Sequence, residues 1–335
     1  MEIVSYLVKE GAQVNKQHKD GVTALHFAAR NGSMEIVRYL VKEGAELNKQ
    51  SEDGVTALHC AALNGSMETV RYLVKEGAEV NKQLKDGVTA LHYAAQNGSM
   101  EIVSYLVKEG AEVNKQDKDG DTALHCAARK GSMEIVSYLV KQGAELNKQS
   151  ENGVTALHCA AQNGSMEIVC YLVKEGAEVN KQDKDGDTAL HCAARKGSME
   201  IVSYLVKQGA EVNKQQEGVT ALHYAARNGS MEIVIYLVKQ GAQVNKQHKD
   251  GVTALHFAAR NGSMEIVRYL VKEGAEVNKQ LKDGVTALHY AAQNGSMEIV
   301  SYLVKEGAEV NKQLKEGVTA LHYAAQNGSL EIVLN

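Results

Sequence analysis

The stretch DGVTALHFAARNGSMEIVRYLVKEGAELNKQ, residues 20–50, decides the fold. Its quartet Thr23-Ala24-Leu25-His26 returns with the threonine at Thr56, Thr89, Thr122, Thr155, Thr188, Thr220, Thr253, Thr286 and Thr319, in steps of 33 residues apart from one of 32 between Thr188 and Thr220. A fixed period in this range marks a solenoid: a unit this small cannot bury its own apolar face and must stack on copies of itself.

Within the unit, Thr23 is a good helix N-cap, and Leu25, Ala28 and Ala29 fall at i, i+3 and i+4, giving a short helix with a stripe of small residues turned inward. Asn31-Gly32 breaks that helix and Ser33 is expected to cap the next. In the second helix Met34, Ile36, Val37, Leu40 and Val41 make an apolar face, with Glu35, Arg38 and Lys42 on the solvated side. Gly44 ends it, and the polar run that follows, with Lys-Asp-Gly, predicts an extended finger with a tight turn at its tip. Helices of about ten residues are too short to stand alone in water, so stacking must supply their stability.

The pattern G-x-T-A-L-H-x-A-A-x-x-G followed by M-E-I-V-x-Y-L-V-K-x-G-A-x-V-N, sustained over about ten copies, closely resembles the ankyrin repeat. The resemblance implies an all-α repeat solenoid of helix-turn-helix units joined by β-hairpin-like fingers. It also implies a curved array whose concave face of first helices and finger tips binds other proteins. One departure is systematic: the family commonly carries proline after the capping threonine, whereas Ala24 and its equivalents stand here and the chain has no proline. Proline would preset the first helical turn, so Ala24→Pro is expected to stabilise.

A single array spanning residues 1–335 is expected. Residues 1–8, MEIVSYLV, superpose on residues 34–41, so residues 1–17 read as a partial repeat lacking its first helix. Full repeats occupy 18–314, with a finger one residue short near 215–218, where both flanking helices are expected undisturbed. Residues 315–335 read as a truncated last repeat in which Leu330-Glu331-Ile332-Val333-Leu334-Asn335 begins a second helix and stops. Neither end carries a polar capping unit, the expectation for a piece cut from a longer array.

The net charge of -4, with both signs interleaved, gives no nucleic-acid-binding signature. No apolar run is long enough to span a membrane, and residue 1 does not open a leader peptide. A monomer in the cytoplasm, or the nucleus, is the default. The five cysteines Cys60, Cys126, Cys159, Cys170 and Cys192 are not a disulfide framework, since four share one position in their units and neighbouring helices lie about 8 to 10 Å apart. Free thiols and a reducing compartment follow. Cys170, on the solvated face, is expected to be the most exposed.

The recurring His26 to His322 beside threonine, with cysteine next in four copies, raises metal binding or Cys-His nucleophilic chemistry. Ligands must converge on one ion at about 2 Å, while adjacent helical residues diverge and copies sit about 10 Å apart. A structural histidine bonded to the capping threonine is the better account, as the resemblance implies. No cofactor is expected. Tyr39 and its copies are expected to pack with a wet hydroxyl. Lys16, Lys49 and Lys82 begin a ladder at the finger bases that Glu46, Asp20 and their equivalents are expected to cancel.

The copies differ at the finger tip, at the residue before the threonine (Val22, but Asp121 and Asp187), and at two first-helix sites. One holds Phe27, Cys60, Tyr93, Cys126, Cys159, Cys192, Tyr224, Phe257, Tyr290 and Tyr323; the other alternates among Arg30, Leu63, Gln96, Arg129, Gln162 and Arg195. The outer face varies too, at Arg38, Ser104, Cys170 and Ile235, so variation alone does not locate a site. Four consecutive aromatics with two finger-tip leucines would make an apolar strip if both reach the groove; alternatively the rings only hold the stack. The candidate partner-binding residues are therefore Tyr224, Arg227, Phe257, Arg260, Leu281, Tyr290, Gln293, Leu314, Tyr323 and Gln326. The leading function is a non-enzymatic scaffold binding a protein or peptide; the alternative is a passive structural or elastic spacer in a larger chain.

Overall fold

Short amphipathic helices alternate along the whole described chain. A computed structural model describes residues 1–326 and 328, and separates into two compact units, Met1–Glu178 and Val179–Asn335. Among the described residues every regular element is a helix, and one isolated bridge, Gln216 with Val219, is the only β pairing. The fingers are thus hairpin-like turns without strands. The second-helix start expected at residues 330–335 lies outside the described residues.

In the first unit the first helices are Ala24–Arg30, Ala57–Asn64, Ala90–Asn97, Ala123–Lys130 and Ala156–Asn163. The second helices are Glu2–Lys9, Met34–Lys42, Met67–Lys75, Met100–Lys108, Met133–Lys141 and Met166–Lys174. In the second unit the first helices are Ala189–Lys196, Ala221–Arg227, Ala254–Asn261, Ala287–Gln293 and Ala320–Gln326, alternating with Met199–Lys207, Met231–Lys239, Met264–Lys272 and Met297–Lys305. Within each of the two units, first helices pack on the first helices of neighbouring repeats and, among the described residues, on the second helix that follows them, while second helices touch one another more lightly. The small stripe explains the difference: Ala127 and Ala128 are fully buried and let two backbones approach closely, whereas the second helix presents bulkier Ile135, Val136 and Leu139 to the same core.

The start of each first helix is fixed by the Thr-x-x-His quartet. Thr122 is extended (φ -105°, ψ 170°), and Thr122 and His125 form a capping box with histidine where glutamate or glutamine usually stands. His125 Nδ1 accepts from the Thr122 backbone N–H (3.1 Å) and lies 2.9 Å from its hydroxyl, while Nε2 donates to the Val154 carbonyl of the next repeat at 3.0 Å. A backbone N–H only donates and a carbonyl only accepts, so the ring is neutral with its proton on Nε2. His223 repeats the arrangement with Thr220 and Lys246. The expected structural histidine is therefore a helix cap and an inter-repeat tie at once.

Two local expectations change. Ser33 occupies the N-cap position of Met34–Lys42 but its side chain makes no capping bond. In other copies the hydroxyl takes a bond from the turn asparagine instead, as Ser165 does from Asn163 at 2.6 Å. Nor are the second-helix tyrosines simply wet: the Tyr138 hydroxyl donates to the Ser104 carbonyl of the preceding repeat at 3.3 Å, and Tyr236 to Ser203 at 3.2 Å.

A further tie comes from the asparagine that closes each unit. Asn114 Nδ2 donates to the Gly143 carbonyl (2.9 Å) while its Oδ1 accepts from the Glu145 N–H (2.9 Å), so one side chain clamps both ends of the next repeat's helix exit. Asn245 does the same to Gly274 and Glu276 in the second unit. The finger-base lysines are charge-balanced as expected from their glutamates: Lys115 pairs with Glu112 at 3.3 Å and Lys279 with Glu276 at 3.1 Å.

An ordinary finger turns through three residues. Asp117 N–H bonds the Asp121 carbonyl and Gly120 N–H the Asp117 carbonyl, with Gly120 left-handed at φ +74°. A Cβ on Gly120 would sit 2.5 Å from the Glu151 backbone nitrogen of the next finger, so glycine is required there by both conformation and space. The short finger turns through two. Gln216 and Val219 exchange both backbone bonds (2.9 and 2.7 Å) around Glu217 at φ +47° and Gly218 at φ +90°. Positive φ at both central residues is the signature of a type I′ turn. The helices on either side, Met199–Lys207 and Ala221–Arg227, are intact, so the missing residue is absorbed in the finger.

Candidate binding surface

The first-helix site that varies between cysteine and aromatic residues follows directly after the structural histidine, and this decides what its ring touches. Tyr224 lies edge-on against His191 of the preceding repeat (centroids 6.1 Å apart, planes at 87°), Phe257 against His223 (6.1 Å, 88°), Tyr290 against His256 (6.2 Å, 87°) and Tyr323 against His289 (6.1 Å, 90°). Edge-to-face contact is the favoured geometry for such pairs. Each of the four rings nonetheless remains only half-buried. The two alternatives for these aromatics therefore meet in one arrangement, each ring partly seated against the neighbouring histidine and partly open.

Around the rings stand the other candidates. Arg227, Arg260, Gln293 and Gln326 are exposed, one helical turn beyond Tyr224, Phe257, Tyr290 and Tyr323, hence on the same face. The Arg260 guanidinium lies 5.7 Å from the centre of the Tyr290 ring. Leu281 and Leu314 are half-buried at the finger tips, their backbones pressed against the preceding finger: a Cβ on Gly251 would meet Leu281 Cα at 2.9 Å, and one on Gly284 would meet Leu314 Cα at 3.1 Å. They border the row rather than capping it.

Sequence reasoning missed one cluster here. The Asp187 carboxylate, only 4% exposed, is bonded by Arg195, whose guanidinium also lies 4.4 Å over the Tyr224 ring and donates to its hydroxyl at 2.8 Å. The hydroxyl in turn donates to Gln216 Oε1 of the short finger at 3.1 Å. In the first unit Asp121 and Arg129 form the same pair at 2.6 Å. The signal was present: aspartate before the threonine occurs in the two copies whose first helix ends Arg-Lys, at Arg129-Lys130 and Arg195-Lys196.

None of the five cysteines forms a disulfide. Cys159 and Cys192 are buried, and Cys170 is half-buried like Cys60 and Cys126 rather than distinctly exposed. Burial pushes the thiols of Cys60 and Cys159 up to about 11 and that of Cys126 to about 12, so they are protonated at neutral pH and poor nucleophiles. Their histidine neighbours are spoken for by the caps, and burial lowers the pKa of His125 and brings that of His59 down to about 4. Among the described residues no three His, Cys, Asp or Glu side chains are grouped to hold a metal ion, and no helix is long and apolar enough to cross a membrane.

The family model for ankyrin repeats, built on three copies, matches residues 1–83, 77–150, 142–216, 212–280 and 255–334. The chain belongs to the ankyrin-repeat family. Searching the curated proteins gives no match. Ankyrin repeats are in general protein–protein interaction modules and typically carry no enzymatic activity. In the second unit of this ankyrin chain the repeats differ along the first-helix row just described, at the finger tips, and on the outer face at Ser203, Ile235, Arg268 and Ser301.

Proposed function

We propose that the chain is a non-enzymatic interaction module that takes a protein or peptide partner on the first-helix and finger face of residues 179–335. The row Tyr224, Phe257, Tyr290 and Tyr323, with Arg227, Arg260, Gln293 and Gln326 beside it and Leu281 and Leu314 at its border, forms the contact surface. One observation carries this: the stack does not need the rings. In the first unit, first helices with Cys60, Cys126 and Cys159 at this position pack in the same serial pattern as the one with Tyr93. Where cysteine suffices for packing, four consecutive aromatics are surplus to it, and half-exposed aromatic rings are the usual anchors of binding surfaces.

The chain itself supplies the test. Tyr290→Cys with Tyr323→Cys installs the residue other repeats already use. Panning a random peptide display library on the 335-residue chain is expected to yield binders that the double variant loses, with its melting temperature within a few degrees of the parent. A large fall in melting temperature would assign the rings to the stack. A library that returns no binder would support the spacer role.

A further inference from the structure

We infer that the partner of this surface is an extended peptide bearing carboxylates at about every third residue, read by Arg227 and Arg260. The inference rests on the binding role proposed above and names the chemistry of the partner. It starts from how differently the four arginines of this unit are placed. Arg268 is paired with Glu298 at 3.2 Å. Arg195 is occupied by Asp187 and Tyr224. Arg227 and Arg260 are exposed, and among the described residues neither has an ion-pair partner. Two guanidiniums are thus left open in successive repeats, each flanked by a half-exposed ring.

Guanidinium is the side chain that best recognises a carboxylate, through two parallel bonds in a fixed plane. The spacing then selects the partner's conformation. Neighbouring packed helices stand about 8 to 10 Å apart, and an extended chain in the polyproline-II form rises about 3.1 Å per residue with three residues per turn, so its residues i and i+3 share a face. One repeat therefore corresponds to about three residues, and a peptide crossing the first helices presents successive carboxylates to Arg227 and Arg260 with apolar side chains between them over Phe257 and Tyr290. The following positions, Gln293 and Gln326, turn the pattern from acidic to polar. Rings beside guanidiniums also suit single-stranded nucleic acid, but that needs a continuous cationic track. Here the row of guanidiniums ends after Arg260, with Gln293 and Gln326 at the next two positions.

The test is fluorescence anisotropy with the full chain and four labelled probes. These are a 12-residue peptide of leucine and serine with aspartate at every third position, its isomer with the aspartates contiguous, its lysine counterpart, and a 12-nucleotide poly-U RNA. The periodic acidic peptide is expected to bind about tenfold more tightly than the contiguous isomer. Arg227→Glu and Arg260→Glu, both at exposed positions that leave the melting temperature unchanged, are each expected to weaken it about tenfold or more. Equal binding of the two isomers, indifference to both reversals, or preference for the lysine peptide or the RNA would overturn the inference. Library binders that lack acidic residues yet vanish in the Tyr290→Cys, Tyr323→Cys variant would leave the binding role standing and remove this inference alone; no binder at all would remove both.

Discussion

Acid should loosen the stack through its buried histidines, and the size of the effect follows from their bonding. In each repeat the imidazole must keep Nδ1 unprotonated to accept the threonine N–H, and its burial disfavours the cation. Burial is the largest cause bringing His59, His223 and His256 down to about 4 from an ordinary 6.5. Between pH 6.5 and 4 the unfolded chain therefore binds protons that the folded chain does not, so stability rises with pH across that window and is lost as pH falls through it. Above pH 6.5 these groups contribute no pH dependence. At pH 5 each of the three costs about 2 kcal/mol relative to pH 7. Urea unfolding followed by far-ultraviolet circular dichroism at pH 7, 6 and 5 should show a falling midpoint. His223→Gln should be less stable at pH 7 and lose about 2 kcal/mol less than the parent on going to pH 5. An unchanged midpoint over that range, or an imidazole NMR titration of His223 centred above pH 6, would refute the neutral cap.

Three further outcomes follow from the backbone and its ties. Asn114→Ala removes the bonds to Gly143 and Glu145 at a half-buried site and should cost about 1 to 2 kcal/mol in urea unfolding, whereas an effect near zero would mean water replaces the clamp fully. Glu217→Asn places a residue that tolerates left-handed backbone at φ +47° and should stabilise by about 1 kcal/mol, with a lower melting temperature arguing that the ion pair to Lys249 outweighs the strain. Ala24→Pro fits an exposed first helical position behind an extended Thr23 and should raise stability by about 0.4 to 1 kcal/mol; a fall in melting temperature would contradict the assigned helix start.

The repeat, its two helices and the capping threonine were legible because each depends on local periodicity and on residues a few positions apart. The ties between repeats were not. Asn114, the Tyr138 hydroxyl and the Nε2 proton of His125 all reach partners about 30 residues away, and nothing in a single unit says which backbone group will face them. Ser33 was misjudged for a related reason: a serine before a helix usually caps it, but in other copies a turn asparagine competes for the hydroxyl. Of the candidate surface, the place of Arg227 and Arg260 at the groove was only what the family resemblance implied, whereas the dual contact of the rings required seeing His191 and His256 from the neighbouring repeat. The Asp187–Arg195 pair was visible only as a coincidence of two substitutions in the same copies.

The claim that a first-helix surface, separable from the stack, does the binding is tested most directly by hydrogen–deuterium exchange with and without a peptide retained in panning. Added protection confined to Ala221–Arg227, Ala254–Asn261, Ala287–Gln293 and the adjoining fingers is the predicted result. Protection on Met231–Lys239 and Met264–Lys272 instead would contradict it.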